Sequence, residues 1–488
     1  MPVLRVETEL PASQEDAFAW HARPGALPRL LPPFEPVRVQ QSAGTIEDGA
    51  RVVLRIEPTP LPLGLTWVAE HDSYDPPHLF RDRQVSGPFK RWEHTHRFEP
   101  RDPAADGSPR CQLIDSIEYE PPLGALGAMA DRVLIEEKLA AMFRYRHRVT
   151  REDLTFHADL AATLAGQRKT VLVTGASGLV GRSVCAILST GGHTVRKLTR
   201  SEPDEPGEFQ WKPSKGAIDP AALEGVDAVV HLAGESIVGR WNEEKKRRIL
   251  RSRVDSTRLL AETVGALPNR PALIVASAIG WYGSRGDAVQ TEDSPAAETF
   301  LADVCEQWEA AAQPAREAGC RTAHLRLGIV LSPEGGALAN MLPAFKFGGG
   351  GAVGDGSQWW SWIARDDAAS LFVAAALDDR YAGVFNAVAP NPVTSRTFAE
   401  VLGDVLNRPT FLRVPKVAAR VAFGEMADAL LLASARVAPE RTLAAGYRFR
   451  CVELADALAH LLGREQPPAT SPNAAAQTAA TASETATR

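Results

Sequence analysis

The stretch Lys169–Gly181, KTVLVTGASGLVG, has the residue types of a turn that grips phosphate. Gly175, Gly178 and Gly181 recur between an apolar run (Val171, Leu172, Val173) and an apolar segment that continues to Leu188. The pattern predicts strand, tight turn and helix. Gly175 then permits the turn, Gly178 lets the main chain approach a pyrophosphate, and Gly181 lets the helix pack on the strand. Ser177, Leu179 and Val180 complete this cofactor-binding set, because the first amides of a helix and the positive end of its dipole favour anionic oxygens. The spacing is GxxGxxG rather than the common GxGxxG, so the flanking strand and helix, and a second strand candidate at His193–Thr199, carry the reading.

A second chemical pattern lies upstream. His94 and His96 are two apart in an alternating run, which turns both side chains to one face of a strand. Paired imidazoles suit a metal ion, but no third ligand stands at a diagnostic spacing. The expectation is therefore a polar strand face packed by aromatics, with no metal. Trp20, Trp67 and Trp92 read as core fillers before they read as the lining of a ligand cavity.

These residues need elements to position them. In residues 1–157 the runs Val3–Leu10, Arg51–Glu57, Thr66–His71, Phe80–Val85, Glu93–Glu99 and Gln112–Glu120 alternate as strands do, and 123–147 has helical spacing. Residues 158–168 read as a linker with few contacts across it. From Lys169 strands alternate with helices, which predicts a doubly wound parallel sheet over 169–410. A segment 411–465 follows, and 466–488 has the Ala, Thr, Ser and Pro composition of a disordered tail. The run KKRR at 245–248 reads as a solvated helix face with a phosphate contact within reach. Glycines and aromatics over 334–362 read as a loop that covers substrate.

Bulk properties narrow the function class. The 488 residues allow two to four domains, and 44% hydrophobic with 23% charged residues is ordinary globular composition. A net charge of −6 gives no electrostatic footprint for nucleic acid. Five scattered cysteines without a CxxC pair suit a reduced, cytoplasmic setting. No apolar run approaches the roughly 20 residues of a membrane span, and no signal-peptide pattern opens the chain.

Two family resemblances follow. RPGALPRLLPPFEP (23–36), GPFKRWEHTHRFEP (87–100) and the helix that closes the region resemble the START-like, polyketide-cyclase-like fold, an α+β helix-grip. That fold implies an apolar cavity between sheet and helix, and hence an apolar ligand. Residues 169–465 resemble an extended short-chain dehydrogenase/reductase of the NAD-dependent epimerase-like branch, with its epimerase-associated C-terminal segment. VTGASGLVG (173–181), DAVVHLAGESIVGRW (227–241), ASAIGWYG (276–283), SWIARDDAA (361–369), NAVAPNPVT (386–394) and FGEMADALLL (423–432) carry it.

This resemblance implies an NAD(P)-binding Rossmann domain acting on a small-molecule substrate. Leu232, Ala233 and Gly234 would border the cofactor, and Ser277 would close the next strand near the nicotinamide. Arg200 follows the second strand, where NAD enzymes usually place an acid, and a guanidinium there suits a 2′-phosphate, so NADP is expected over NAD. Working members of the family carry a Tyr-x-x-x-Lys pair, in which lysine lowers the tyrosine pKa for proton transfer. No such pair exists here; aligning Glu309 with the family's helix acid puts Leu301 and Cys305 at those positions. Ser277 and Tyr282 are left as the candidate catalytic residues, with Glu292 as a further polar group. Three functions stay open: an NADP(H)-dependent epimerase or oxidoreductase, a cofactor-binding sensor without turnover, and a hydrophobic-ligand carrier.

Overall fold

The computed structural model describes residues 2–57, 64–121 and 124–466, so all of the expected tail except Gln466 lies outside the described residues. Seven antiparallel strands form the first sheet: β1 (Val3–Leu10), β2 (Val37–Ser42), β3 (Arg51–Ile56), β4 (Leu65–Asp75), β5 (Leu79–Ser86), β6 (Arg91–Arg101) and β7 (Arg110–Glu120). Their order is β1-β7-β6-β5-β4-β3-β2. Alternation sets the inward face: Trp92, His94, His96 and Phe98 of β6 are buried while their neighbours are not. Strand β2 was not expected, since VRVQQS alternates weakly and forms an exposed edge with a register shift at Val39/Gln41.

Two helices absent from the sequence reading, α1 (Gln14–Ala22) and α2 (Ala26–Leu30), follow β1. Ser13 caps α1, its hydroxyl accepting from the Asp16 amide at 3.1 Å. The long helix α3 (Gly124–Thr163) closes the sheet and runs on into the stretch read as a linker, as far as Thr163. Between helices and sheet lies a cavity of about 450 Å³.

The second sheet begins with β8 (Thr170–Thr174), followed by helix α4 (Leu179–Thr190), then β9 (Thr194–Thr199), β10 (Glu208–Lys212), β11 (Ala217–Ile218) and β12 (Ala228–His231). Helix α5 (Glu243–Gly265), β13 (Ala272–Ala278), helix α6 (Phe300–Ala310) and β14 (Thr322–Leu327) come next. Helices α7 (Gly336–Lys346) and α8 (Arg365–Leu377), then β15 (Gly383–Ala387), complete the layers. The order is β11-β10-β9-β8-β12-β13-β14-β15, parallel except at β10–β11. The chain reverses direction across the sheet between β8 and β12, the place where such sheets take ligands.

The 334–362 stretch is largely ordered structure: α7 is followed by short strands, and Trp360 and Trp362 are buried in the C-terminal core. Among the described residues no helix is long and apolar enough to cross a membrane. All five cysteines are free thiols.

Few contacts were expected to cross 158–168, yet the two sheets are joined by buried charge at other places. Arg29 of α2 grips Asp153 of α3 through two hydrogen bonds of 2.8 and 2.9 Å and reaches Asp366 of α8 at 3.0 Å. Arg450 binds Asp153 at 2.7 Å, and Arg365 donates to Asp366 at 3.0 Å and to the Tyr145 hydroxyl at 3.2 Å. Arg148 holds Asp456 with both terminal nitrogens at 2.8 Å. Removing one member of a buried pair leaves its partner uncompensated, which costs about 3–5 kcal/mol. Asp153→Ala leaves Arg29 with Asp366 alone and takes from Arg450 its nearest carboxylate, so it is expected to destabilise the chain by about 3 kcal/mol. Urea unfolding followed by tryptophan fluorescence checks this; an unchanged midpoint would mean that docking rests on apolar contact alone.

Candidate functional site

The glycine turn stands at the carboxyl end of β8, against the end of β12. Gly175 has φ +68°, and a Cβ there would lie 2.9 Å from the Ala233 nitrogen and the Leu232 carbonyl carbon. A Cβ on Gly181 would sit 2.1 Å from the Gly175 carbonyl oxygen. Both positions therefore require glycine, one for conformation and contact, the other for contact alone. Gly178 is the N-cap of α4 with no side-chain cap, and Ser177 and Gly178 are exposed, so the first amides of α4 are open to an anion. Leu179 and Val180 are half-buried behind them.

Thr174 locks the ends of the two strands together. Its hydroxyl accepts from the Leu232 and Ala233 amides at 3.2 Å each and donates to His231 Nδ1 at 2.7 Å. His231 in turn donates from Nε2 to the Ser256 hydroxyl at 3.0 Å. Burial, aided by nearby Arg253, pushes the His231 pKa down to about 3, so the imidazole stays neutral and can accept from Thr174. Sequence reasoning missed this pair because the two residues stand 57 apart, one in each of two quoted phrases; the signal was a polar residue ending each of two apolar strands. Gly234 is exposed next to them, with the Arg253 guanidinium 3.3 Å from where its Cβ would stand. Arg200 follows β9, is exposed and has no ion-pair partner among the described residues. In the KKRR run, by contrast, Lys245, Lys246 and Arg248 are paired with Glu235, Glu425 and Glu244.

The candidate catalytic residues meet in one buried network. Ser277 donates to Glu309 Oε1 at 2.6 Å, and Glu309 is held by both edges of Arg326 at 2.8 and 2.9 Å. Arg326 also donates to the Tyr282 hydroxyl at 3.0 Å and lies 3.7 Å over the Trp281 ring. Tyr282 donates to Asn386 Oδ1 at 2.6 Å. Glu292 accepts from the Asn386 amide at 2.9 Å and the Arg441 amide at 3.3 Å, which ties β15 to the C-terminal segment. Ser277 is 2% and Tyr282 0% exposed, so both hydroxyls are committed inside the protein. Burial raises the Tyr282 pKa, against the pull of Arg326. Leu301 packs against Gly280, and the Cys305 thiol donates to the Ala278 carbonyl at 3.5 Å. Burial and then Glu309 raise that thiol to about 11, so it is not a base at neutral pH. Asn386 lay in a quoted sequence phrase, but nothing along the chain signalled that it and Arg326 converge on Tyr282.

A doubly wound parallel sheet with a glycine cradle at its switch point defines an NAD(P)-binding extended short-chain dehydrogenase/reductase. The chain belongs to the epimerase family: residues 171–387 match the model for the NAD dependent epimerase/dehydratase family, and an epimerase family protein of Mycobacterium bovis is 39% identical over 295 residues, covering 60% of this chain and 98% of the relative. Residues 10–143 match polyketide cyclase / dehydrase and lipid transport, and 414–461 match a domain of unknown function. The crystal structure of a nucleoside-diphosphate sugar epimerase from Corynebacterium glutamicum is similar over 98% of this chain and 93% of its own, at 35% identity and TM-score 0.76. The two-sheet architecture is therefore shared along the whole chain. Human epimerase family protein SDR39U1, solved with NADPH, is similar over 60% of this chain and 99% of its own, at 34% identity and TM-score 0.56.

The Arg326 network makes a stability prediction. Arg326→Met leaves the Glu309 carboxylate buried without its cation and is expected to cost about 3–5 kcal/mol. Arg326→Lys should not restore it, because an ammonium cannot bridge both Glu309 oxygens while reaching Tyr282. Tyr282→Phe strips a hydrogen bond each from Arg326 and Asn386 but leaves the Glu309–Arg326 ion pair intact, and should cost about 1.5–3 kcal/mol. Chemical denaturation of the three variants reads the order directly; a lysine variant as stable as the parent would refute the bidentate role.

Proposed function

We propose that the chain binds NADP(H) at the β8–α4 turn and turns over slowly. The observation that carries this reading is the contrast between the two halves of the site: an open anion cradle beside hydroxyls that are all committed to protein partners. Gly175, Ser177, Gly178, Leu179, Val180 and Gly181 would hold the pyrophosphate, Arg200 the 2′-phosphate, and Leu232, Ala233 and Gly234 the edge of the bound nucleotide. The residues present fit such a group, because the cradle lacks the Cβ atoms that would fill it and α4 has no side chain capping its amides. The exposed, unpaired guanidinium of Arg200 supports NADP over NAD, as does the NADPH in the human relative. When bound, the cofactor supplies a hydride donor or acceptor.

This chain's own residues would then orient the nucleotide. Ser277 lies near the end of β13 and Tyr282 just beyond it, and each can serve a substrate oxygen only after releasing its present partner. The N-terminal cavity favours a second ligand: Leu54, Ile56, Trp67, Trp92, Leu139 and Phe143 give it an apolar lining suited to a small apolar molecule.

Fluorescence titration of the full chain should show tighter NADPH than NADH binding. Arg200→Ala should lower NADPH affinity about 5- to 150-fold, the range of a charge-assisted contact of about 1–3 kcal/mol, and leave NADH unchanged. Equal affinity for the two cofactors, unaltered by the substitution, overturns the assignment. NADPH oxidation over a carbonyl and sugar-nucleotide panel should be slow or undetectable. Brisk turnover abolished by Tyr282→Phe would make this a working enzyme with a relocated tyrosine, and brisk turnover indifferent to Tyr282→Phe and Ser277→Ala would locate the chemistry elsewhere.

A further inference from the structure

The N-terminal cavity holds a cluster of histidines and carboxylates that neither the cofactor site nor the apolar lining uses. His94 and His96 face inward from β6, as alternation requires, and both are at least nine-tenths buried. The third group that the sequence spacing did not supply comes from the neighbouring strand. Asp82 of β5 is in direct register with His94, and its side chain points into the same cavity. Asp82 Oδ1 lies 3.2 Å from His94 Nδ1 and 3.6 Å from His96 Nε2. One donor atom from each of the three residues lies within 4.8 Å of the other two. Ligands around a tetrahedral zinc ion at about 2.1 Å are separated by about 3.4 Å, so these spacings are those of a coordination shell.

The outer side of the cluster has the same character. A single carboxylate, Asp115 of β7, faces the remaining nitrogen of each imidazole: His94 Nε2 at 3.0 Å and His96 Nδ1 at 2.6 Å. His147 of α3 meets the other Asp115 oxygen at 2.5 Å. Metal-bound histidines commonly present their second nitrogen to a carboxylate in this way, which fixes the ring and strengthens the ligand. His96 Nδ1, although close to Asp115, lacks hydrogen-bonding geometry to any partner, as does His71 Nδ1 nearby. Two carboxylates and buried imidazoles are thus gathered where the other charged group in the lining is Arg146, whose guanidinium donates to the Leu30 carbonyl at 3.1 Å, along with Arg23, Glu35 and Lys138 toward the rim.

We propose that Asp82, His94 and His96 bind one divalent transition-metal ion of the zinc type, with Asp115 as the carboxylate that orients His94 by a hydrogen bond and lies behind His96. Three protein ligands leave a fourth position, which faces the apolar cavity. A small apolar molecule carrying one oxygen or nitrogen donor would fill cavity and position together.

The test uses the full chain. Protein stripped with a chelator and titrated with Zn2+ alone should take up one equivalent that survives gel filtration, measured by inductively coupled plasma mass spectrometry. Crystals of this protein should show an anomalous peak at the zinc edge between Asp82, His94 and His96. Asp82→Asn with His96→Gln should abolish stoichiometric uptake, and Asp115→Asn should weaken it about 10- to 100-fold. Circular dichroism and NADPH titration serve as fold controls for the variants. Uptake below half an equivalent by the parent, an anomalous peak elsewhere, or undiminished uptake by the folded double variant overturns the proposal. The parent measurements decide the matter even where a variant fails to fold.

Discussion

Arg29 is the charge on which the arrangement of the two sheets depends. It is almost wholly buried, it belongs to the short helix of the first domain, and its two acidic partners come from different domains. A guanidinium in that place is tolerable only while both carboxylates remain there. The pairing therefore specifies one relative placement of the domains, where apolar contact by itself would accept many. Arg365 and Arg450 extend the same lattice, so the positions of α3 and α8 are fixed by directional hydrogen bonds as well as by packing.

That placement has a consequence for the cofactor cradle. Helix α4, whose first amides form the anion site, meets α2 at its other end. A Cβ on Gly25 would stand 2.3 Å from the Ala186 carbonyl oxygen, and the Gly25 amide donates to the Ser189 hydroxyl at 3.1 Å. Arg23 donates to the Thr190 carbonyl. The chain that leads from His21, at the wall of the N-terminal cavity, thus reaches the far end of the cofactor helix within a few residues. Helix α4, twelve residues long, runs from the glycine turn to the segment that follows the cavity wall.

The sequence made visible whatever is local. The β8–α4 turn, the parallel alternation and most strands of the first sheet follow from glycine placement and from apolar periods of two or 3.6 residues. The weak edge strand β2 and helices α1 and α2 escaped, since β2 alternates faintly and the two helices, of nine and five residues, are too short to display a helical period. What stayed hidden at the sites has one physical cause. Asp82 joins His94 across a strand pair, and Arg326 joins Glu309 and Tyr282 across strand and helix. Such meetings depend on register and layer packing, which no spacing along the chain encodes. The absence of Tyr-x-x-x-Lys could be read directly, but the committed state of Ser277 and Tyr282 needed their partners to be seen.

The strength of those commitments bears on chemistry. A positioned general acid contributes about two to four orders of magnitude in rate, equivalent to about 3–5 kcal/mol of barrier. To act in that role Tyr282 would have to leave Asn386 and Arg326, bonds worth about 0.5–1.5 kcal/mol for the neutral amide and about 1.5–3 kcal/mol for the guanidinium. Asn386 and Arg326 would then be left short of a partner in a dry interior, a further penalty of similar size. Releasing the phenol costs about as much as its catalysis would supply. Ser277 faces the same balance against the Glu309–Arg326 pair. Proton transfer through this network therefore requires a substrate that replaces the lost partners in full.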